Sequence, residues 1–96
     1  MSARLEFEGE MTIYQVAEQK KLLQEALREN EALEVDLSRV VELDTAGVQL
    51  MLVAQREAVA LGKSLKWGGH SHAVLGVLRR LSLESELGET VAIVGA

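Results

Sequence analysis

The chain has 96 residues, no cysteine and a formal net charge of −5 at pH 7. This length fits one compact domain, residues 1–96, near the lower end of the sizes that bury a self-sufficient core. The lack of cysteine excludes disulfides, thiolate metal sites and thiol catalysis, and the negative charge opposes binding to nucleic acid. We find neither a signal peptide nor an apolar run of the roughly 20 residues that span a bilayer, so we expect a soluble cytoplasmic protein.

An alternating pattern near the start of the chain predicts a strand with one exposed side. Leu5, Phe7 and Met11 are separated by glutamates, and a break is expected near Gly9. The acidic side chains would discourage pairing with a strand of another molecule. We therefore predict an edge strand.

The residues after this strand carry the signals of a helix start. Thr12 and Gln15 match a capping box, with Thr12 as the N-cap and Gln15 reaching back to it. Met11 and Val16 occupy the positions of a hydrophobic staple. These signals predict a first helix over about 13–28.

The second strand pattern leads into a polar corner. Residues 32–37 alternate, which predicts a central strand. Its apolar side chains share one face: Leu33, Val35 and Leu37. Residues 40–43 form an apolar bridge to Asp44, and from there to Leu61 the sequence favours a helix, with Gly62 as its stop.

The rest of the chain repeats the alternation of strands and helices. A short strand is predicted over 64–67, followed by a turn at 68–69 and a helix that starts near Ser71. Gly88 closes a brief segment, and a final strand is predicted over 91–94. This order predicts an α/β fold, with a mixed, mostly parallel sheet of about four strands and three to four helices packed on it.

The second predicted helix has two different faces. One face carries the expected core residues: Gly47, Leu50, Met51, Ala54, Ala58 and Leu61. The other mixes apolar and polar side chains: Thr45, Val48, Gln49, Leu52, Gln55, Arg56 and Val59. This mixed face fits either a reversible protein-binding surface or a buried face covered by the first helix or a loop. The Thr45 hydroxyl on the same face favours the protein-binding interpretation.

The corner places a hydroxyl beside a carboxylate at the start of this helix. Backbone N–H groups without intrahelical partners point outward there, so the position would accept an anion or a phosphate attached to Thr45. Thr45 could instead be the N-cap, contributing about 1 kcal/mol without a signalling role, and Asp44 could do the same. The spacing alone favours the capping interpretation.

Two neighbouring histidines, His70 and His72, raise a catalytic or metal-binding alternative. A metal site requires further ligands, and the first plausible carboxylate downstream is Glu84. Residues 68–69 also lack the spacing of a phosphate-binding loop. We favour a turn in which Ser71 caps the third helix and both histidines are solvated. We therefore predict no enzyme activity, no metal and no cofactor.

The stretch 34–50 resembles the signature of the STAS domain family, which includes the bacterial anti-sigma factor antagonists. The sharpest match is Asp36-Leu37-Ser38 followed by Asp44-Thr45-Ala46-Gly47. In that family, an aspartate precedes a Ser or Thr that an anti-sigma factor kinase phosphorylates, and a glycine follows. The resemblance thus identifies Asp44 as the family aspartate and Thr45 as the phosphorylation candidate. The next residue, Ala46, lacks the second hydroxyl that regulated members often have at this position.

The resemblance implies a regulatory module that acts by partner switching. The unmodified domain would bind a kinase-type anti-sigma factor and release its sigma factor, and a phosphate on Thr45 would end that binding. The implied contact residues are Asp44, Thr45, Ala46, Val48, Gln49, Leu52 and Arg56. The implied structural residues at the site are Asp36, Ser38 and Gly47. The corner also resembles the STAS subunit of the bacterial lipid-asymmetry transporter, whose partner would be an ABC-type ATPase with Thr45 as an unmodified contact.

Overall fold

The computed structural model of the chain describes residues 2–87. Its elements are β1 (Ser2–Met11), α1 (Val16–Glu29), β2 (Ala32–Leu43), α2 (Thr45–Ala60), β3 (Ser64–Gly68), α3 (His72–Arg80) and α4 (Glu84–Leu87). The predicted α/β fold class is confirmed. The segment predicted to close at Gly88 and the strand predicted over 91–94 lie outside the described residues. Within 2–87, no helix combines the length and the apolar character that crossing a membrane requires.

The three described strands form a parallel sheet in the order β1-β2-β3. Within the sheet that residues 2–87 form, the first predicted strand therefore lies at an edge and the second lies in the centre, as expected. The sequence predicted about four strands, and the described residues contain three strands with four helices. α1 and α2 are the crossovers between neighbouring parallel strands, because such strands cannot be joined by a tight hairpin.

The sheet has a buried side and a solvent-facing side. One side carries apolar register partners: Leu5, Val35 and Trp67. The other side carries charged register partners, which are all exposed: Arg4, Glu34 and Lys66. Because successive side chains of a strand point to opposite faces, the hydrophobic core lies on the first side only.

β2 continues to Leu43 instead of ending near Leu37 as predicted. The residues expected to form an apolar bridge stay paired with β1 through two register shifts, the second between Gly9 and Glu10. Such irregularities bend a strand without ending its pairing, and the φ of +79° at Gly9 accommodates the predicted break. As a result, the strands end side by side, with Met11 paired to Leu43.

α1 begins at Val16 rather than at Ile13. The predicted capping box is only half formed. The side-chain oxygen of Gln15 accepts the Thr12 backbone N–H at 3.2 Å, but it also accepts the Thr12 hydroxyl at 2.6 Å. The hydroxyl accepts the Tyr14 N–H at 3.4 Å rather than the Gln15 N–H, which donates to the Thr12 carbonyl at 2.9 Å. Residues 12–15 form a turn, and the helix starts after it.

α2 ends close to the predicted stop. Gly62 adopts a φ of +69°, a conformation that favours glycine after a helix. The prediction that Leu61 belongs to the core face is wrong, because its side chain is 58% exposed. Leu61 is the C-cap residue, one position beyond the end of the helix at Ala60.

Candidate functional site

Asp44 forms the corner between β2 and α2. Its backbone is extended, with φ −109° and ψ −175°, and its Oδ1 accepts the Gly47 N–H at 3.0 Å. Its carbonyl oxygen accepts the Val48 N–H, also at 3.0 Å. Asp44 is therefore the N-cap of α2, which decides between the two caps that the sequence allowed.

Thr45 is the first residue of α2, and it is exposed. Because Asp44 supplies the cap, the Thr45 hydroxyl is not required to satisfy the Gly47 amide. The first N–H groups of a helix point out of its end, where the helix dipole is positive. The position can therefore hold an added negative charge.

The second carboxylate oxygen of Asp44 holds the turn that precedes α1. Oδ2 accepts the Ile13 N–H at 3.1 Å across 31 residues of sequence. The side chains on this turn, Ile13 and Tyr14, are 67% and 88% exposed. Sequence reasoning missed this surface because it placed both residues inside a helix. No local pattern marks the contact, which depends on the pairing of Met11 with Leu43.

Gly47 lies against the ends of two strands. A Cβ built at this position would be 2.2 Å from the Met11 carbonyl oxygen and 2.5 Å from Cδ1 of Leu43. Neither contact is possible without a shift, since real Cβ atoms essentially never come within 3.0 Å of another heavy atom. α2 therefore approaches the sheet at a separation that only glycine permits here.

The predicted contact residues differ in exposure. Three of them are exposed: Thr45, Gln49 and Arg56. Three are partly buried: Asp44, Ala46 and Leu52. Val48 is only 3% exposed and belongs to the core, which corrects its assignment to a partner surface. A helical wheel gives the angle of each side chain around the axis but not how far neighbouring elements extend around the helix.

Asp36 and Ser38 do not lie at the Asp44 corner, which corrects their assignment to this site. Asp36 is in the first half of β2, whereas the corner follows its last residue, Leu43. At about 3.3 Å per residue, the strand between them spans roughly 20 Å. Asp36 instead accepts the Ser38 N–H at 2.8 Å and the Arg4 guanidinium at 2.6 Å on the solvent-facing side of the sheet.

These contacts predict how stability depends on pH. The hydrogen bond from the Ser38 amide holds the pKa of Asp36 below its usual range, against the opposing effect of burial, with further lowering by the Ser38 hydroxyl and Arg4. A carboxyl whose pKa is lowered in the folded state stabilises the fold above its unfolded pKa, near 3.9, and loses this contribution as the pH falls through its folded value. We expect Asp36→Asn to unfold at a lower urea concentration than the wild type at pH 7, with the difference shrinking below about pH 4.

Urea titrations at a series of pH values would test this expectation. Glu34→Gln is the matched control, because Glu34 also faces Arg4, at 3.6 Å, but its side chain is 62% exposed. We expect this variant to differ little from the wild type at any pH. A deficit of Asp36→Asn that stays constant from neutral to acidic pH would show that the charge of Asp36 is not the cause.

The two histidines do not form a joint site. His70 is buried, and its Nε2 lies 2.7 Å from the carbonyl oxygen of Leu87, so Nε2 is the donor in this contact. His72 is exposed, and the Ser71 hydroxyl accepts the Val74 N–H at 3.2 Å, which confirms the predicted cap of α3. The prediction that both histidines are solvated is wrong for His70. In the described part of the chain, no group of three or more His, Cys, Asp or Glu side chains is placed to hold a metal ion.

Comparisons with known proteins agree with this architecture. The family model described as "Mlab, STAS domain" matches residues 1–94. A comparison with curated proteins gives no match. Among solved structures, the anti-sigma factor antagonist SpoIIAA in its unphosphorylated form is similar, with a TM-score of 0.71 and 20% sequence identity. The similarity covers 86% of this chain and 75% of the SpoIIAA chain.

The two matches carry different weight. At 20% identity, the likeness to SpoIIAA shows a shared fold alone. The family model covers nearly the whole chain, including the corner formed by Asp44 and Thr45. The resemblance on which the sequence prediction depended is thus confirmed, and the chain belongs to the STAS family.

Proposed function

We propose that this chain is a non-catalytic regulatory module that binds another protein through the surface around Thr45, as an anti-sigma factor antagonist does. The observation that carries the proposal is the division of roles at the corner. Asp44 caps α2, while Thr45 is exposed beside it. The Thr45 hydroxyl is therefore available to a partner or a kinase without loss of the helix cap. The SpoIIAA-like fold supports the same function.

Phosphorylation of Thr45 would be the switch. The phosphate would add about −1.5 to −2 charge next to the Asp44 carboxylate, in the contact surface. The positive end of the α2 dipole would stabilise the modified domain. In a complex with a partner that fits the unmodified hydroxyl, the phosphate would be repelled by like charges or would lose its hydration. The complex would therefore dissociate. The domain would thus alternate between a binding and a non-binding state.

The proposed partner is a kinase-type anti-sigma factor of the bacterial cytoplasm. Binding of the unmodified domain would release the sigma factor. The partner would then transfer the γ-phosphoryl group of ATP to Oγ1 of Thr45. The new P–O bond forms as the bond to the departing ADP breaks, and the hydroxyl proton passes to a base on the kinase. With Val48 excluded by its burial, the proposed contact residues are Asp44, Thr45, Ala46, Gln49, Leu52 and Arg56.

A second candidate function is that of a STAS accessory subunit that binds the ATPase of an ABC-type lipid transporter. The sequence at the corner supports it, because Ala46 stands where regulated antagonists often have a second hydroxyl. The Mlab description of the matching family model supports it as well. In this role Thr45 would be a contact residue that is never modified.

Phosphotransfer to the purified chain would test the first candidate against the second. We expect a kinase-type anti-sigma factor with ATP to place one phosphate on Thr45, and none on Thr45→Ala, as located by mass spectrometry of the digested protein. Ser64→Ala is the matched control, since it also removes a hydroxyl, and Ser64 is exposed at the start of β3, at the opposite end of the sheet from the corner.

The two candidates predict opposite results. Binding to the kinase together with phosphate on Thr45 would support the switch. Tight binding to an ABC-type ATPase, with no phosphate transferred by the kinase, would reject the antagonist function in favour of the accessory subunit.

A further inference from the structure

The turn at residues 12–15 presents two large apolar side chains to solvent. Ile13 is 67% exposed and Tyr14 is 88% exposed. The backbone of the turn is held at several points: the N–H groups of Gln15 and Val16 both donate to the Thr12 carbonyl, at 2.9 and 3.1 Å. Ile13 is also fixed through its N–H to Asp44. A side chain presented by an ordered backbone loses less entropy on binding than one on a mobile loop.

This turn and Thr45 belong to one continuous surface. The Asp44 carboxylate contacts the turn through Oδ2 and caps α2 through Oδ1, so Ile13 and Thr45 are both its immediate neighbours. An open groove of about 240 Å³ extends the surface between the first halves of α1 and α2. Its lining comes from both helices and includes one charged side chain, that of Lys20: Val16, Ala17, Lys20, Ala46, Gln49 and Val53.

Two carboxylates beside the turn show which charge a partner would carry. Glu10 and Glu42 are register partners on neighbouring strands, so their side chains point to the same side, and both are exposed. Glu10 also lies near the turn, with Oε1 at 3.5 Å from the Thr12 hydroxyl. Among the ion pairs of residues 2–87, none includes Glu10 or Glu42. Like charges on paired positions repel, and a basic group would relieve this repulsion.

We propose that Ile13 and Tyr14 are the apolar anchor of the partner-binding surface, and that the partner is a protein with an apolar pocket rimmed by Lys or Arg. This inference rests on the proposed function and deepens it, because it describes what the partner presents to the same surface. Exposed aromatic side chains that fill a partner's pocket commonly dominate the binding energy of an interface. The glutamates at the rim would increase the rate of association and select partners by charge.

The same charges argue against two other occupants. A membrane surface carries anionic headgroups, which Glu10 and Glu42 would repel. A second copy of this chain, docked symmetrically on this surface, would bring the same pair of carboxylates from both molecules together. A basic protein partner avoids both costs.

Binding titrations with a purified kinase-type anti-sigma factor would test the anchor. We expect Tyr14→Ala to weaken binding at least about tenfold, and Ile13→Ala by a smaller factor. Leu61→Ala is the matched control, because Leu61 is 58% exposed but lies after the end of α2 and off the face that carries the proposed contacts. We expect it to bind within about twofold of the wild type, since exposed apolar residues outside an interface contribute little. Glu10→Gln combined with Glu42→Gln should slow association and reduce its dependence on salt.

The outcomes separate this inference from the proposed function. If Tyr14→Ala and Ile13→Ala bind as the wild type while a charge at Thr45 still ends binding, the anchor is wrong and the proposed function stands. If an ABC-type ATPase binds instead of the kinase and Tyr14→Ala weakens that complex, the anchor stands and the antagonist function fails. A dimer in solution that Tyr14→Ala converts to a monomer would overturn the inference, because the occupant would then be a second copy.

Discussion

Replacing Gly47 with alanine is expected to destabilise the fold by about 3 kcal/mol, since inserted atoms in a packed core force backbone shifts. The added methyl group would overlap the Met11 carbonyl oxygen and the Leu43 side chain, at 2.2 and 2.5 Å. The first of these is a backbone atom, so rotating a side chain cannot relieve the overlap. The helix would have to move away from the sheet, which would also disturb the cap at Asp44. Urea unfolding followed by circular dichroism would measure the loss.

Gly76→Ala is a control for which we expect the opposite change in stability. Gly76 lies inside α3, and a Cβ there meets nothing nearer than the flexible Arg80 side chain at 4.0 Å. Gly76→Ala should therefore stabilise the fold by up to about 1 kcal/mol through helix propensity. If Gly47→Ala were as stable as the wild type, the close approach of α2 to the sheet would not be a requirement of this fold.

Thr45→Glu is expected to weaken partner binding at least about 100-fold with little change in stability. A like charge placed in an interface costs several kcal/mol, and 1.4 kcal/mol corresponds to a factor of ten. The fold should tolerate the change because Thr45 is exposed and because the start of a helix favours a carboxylate. Isothermal titration calorimetry with the purified anti-sigma factor would give the affinity, and thermal unfolding would give the stability.

Two further variants make the result specific to the charge and its position. Thr45→Ala removes the hydroxyl without adding a charge, and we expect it to keep binding. Leu61→Glu adds the same charge at an exposed position after the end of α2, off the face that carries the contact residues, and we expect it to bind normally. A Thr45→Glu variant that binds as tightly as the wild type would exclude the switch.

Local signals in the sequence located most of the secondary structure and its caps. Asp44 and Ser71 each accept a backbone N–H three residues further along the chain. The spacing of residues in the sequence is therefore enough to predict these two caps. Gly62 ends α2 because its own backbone adopts a positive φ. The alternation of strands and helices likewise predicted the α/β class and the central position of β2. Each of these features depends on residues close together in sequence.

Most of the predictions that were wrong concern features that depend on neighbours distant in sequence. β2 extends to Leu43 because β1 remains paired with it beyond Gly9. α1 starts late because Thr12 and Gln15 bond each other in a turn, and that turn is attached to Asp44. The burial of Val48 likewise depends on the surrounding core, which a wheel drawn for one helix does not contain.

The sequence by itself determined the class of fold, the strand-to-helix corner and the residue types present at it, because these follow from periodicity, capping and a family signature. Tertiary structure alone decided which groups the Asp44 carboxylate contacts at that corner. The pairing of Met11 with Leu43 brings Ile13 to the second oxygen of Asp44, so one carboxylate holds both the helix start and the exposed turn. A hydrogen bond between residues 31 positions apart exists only once the sheet has aligned the ends of its strands.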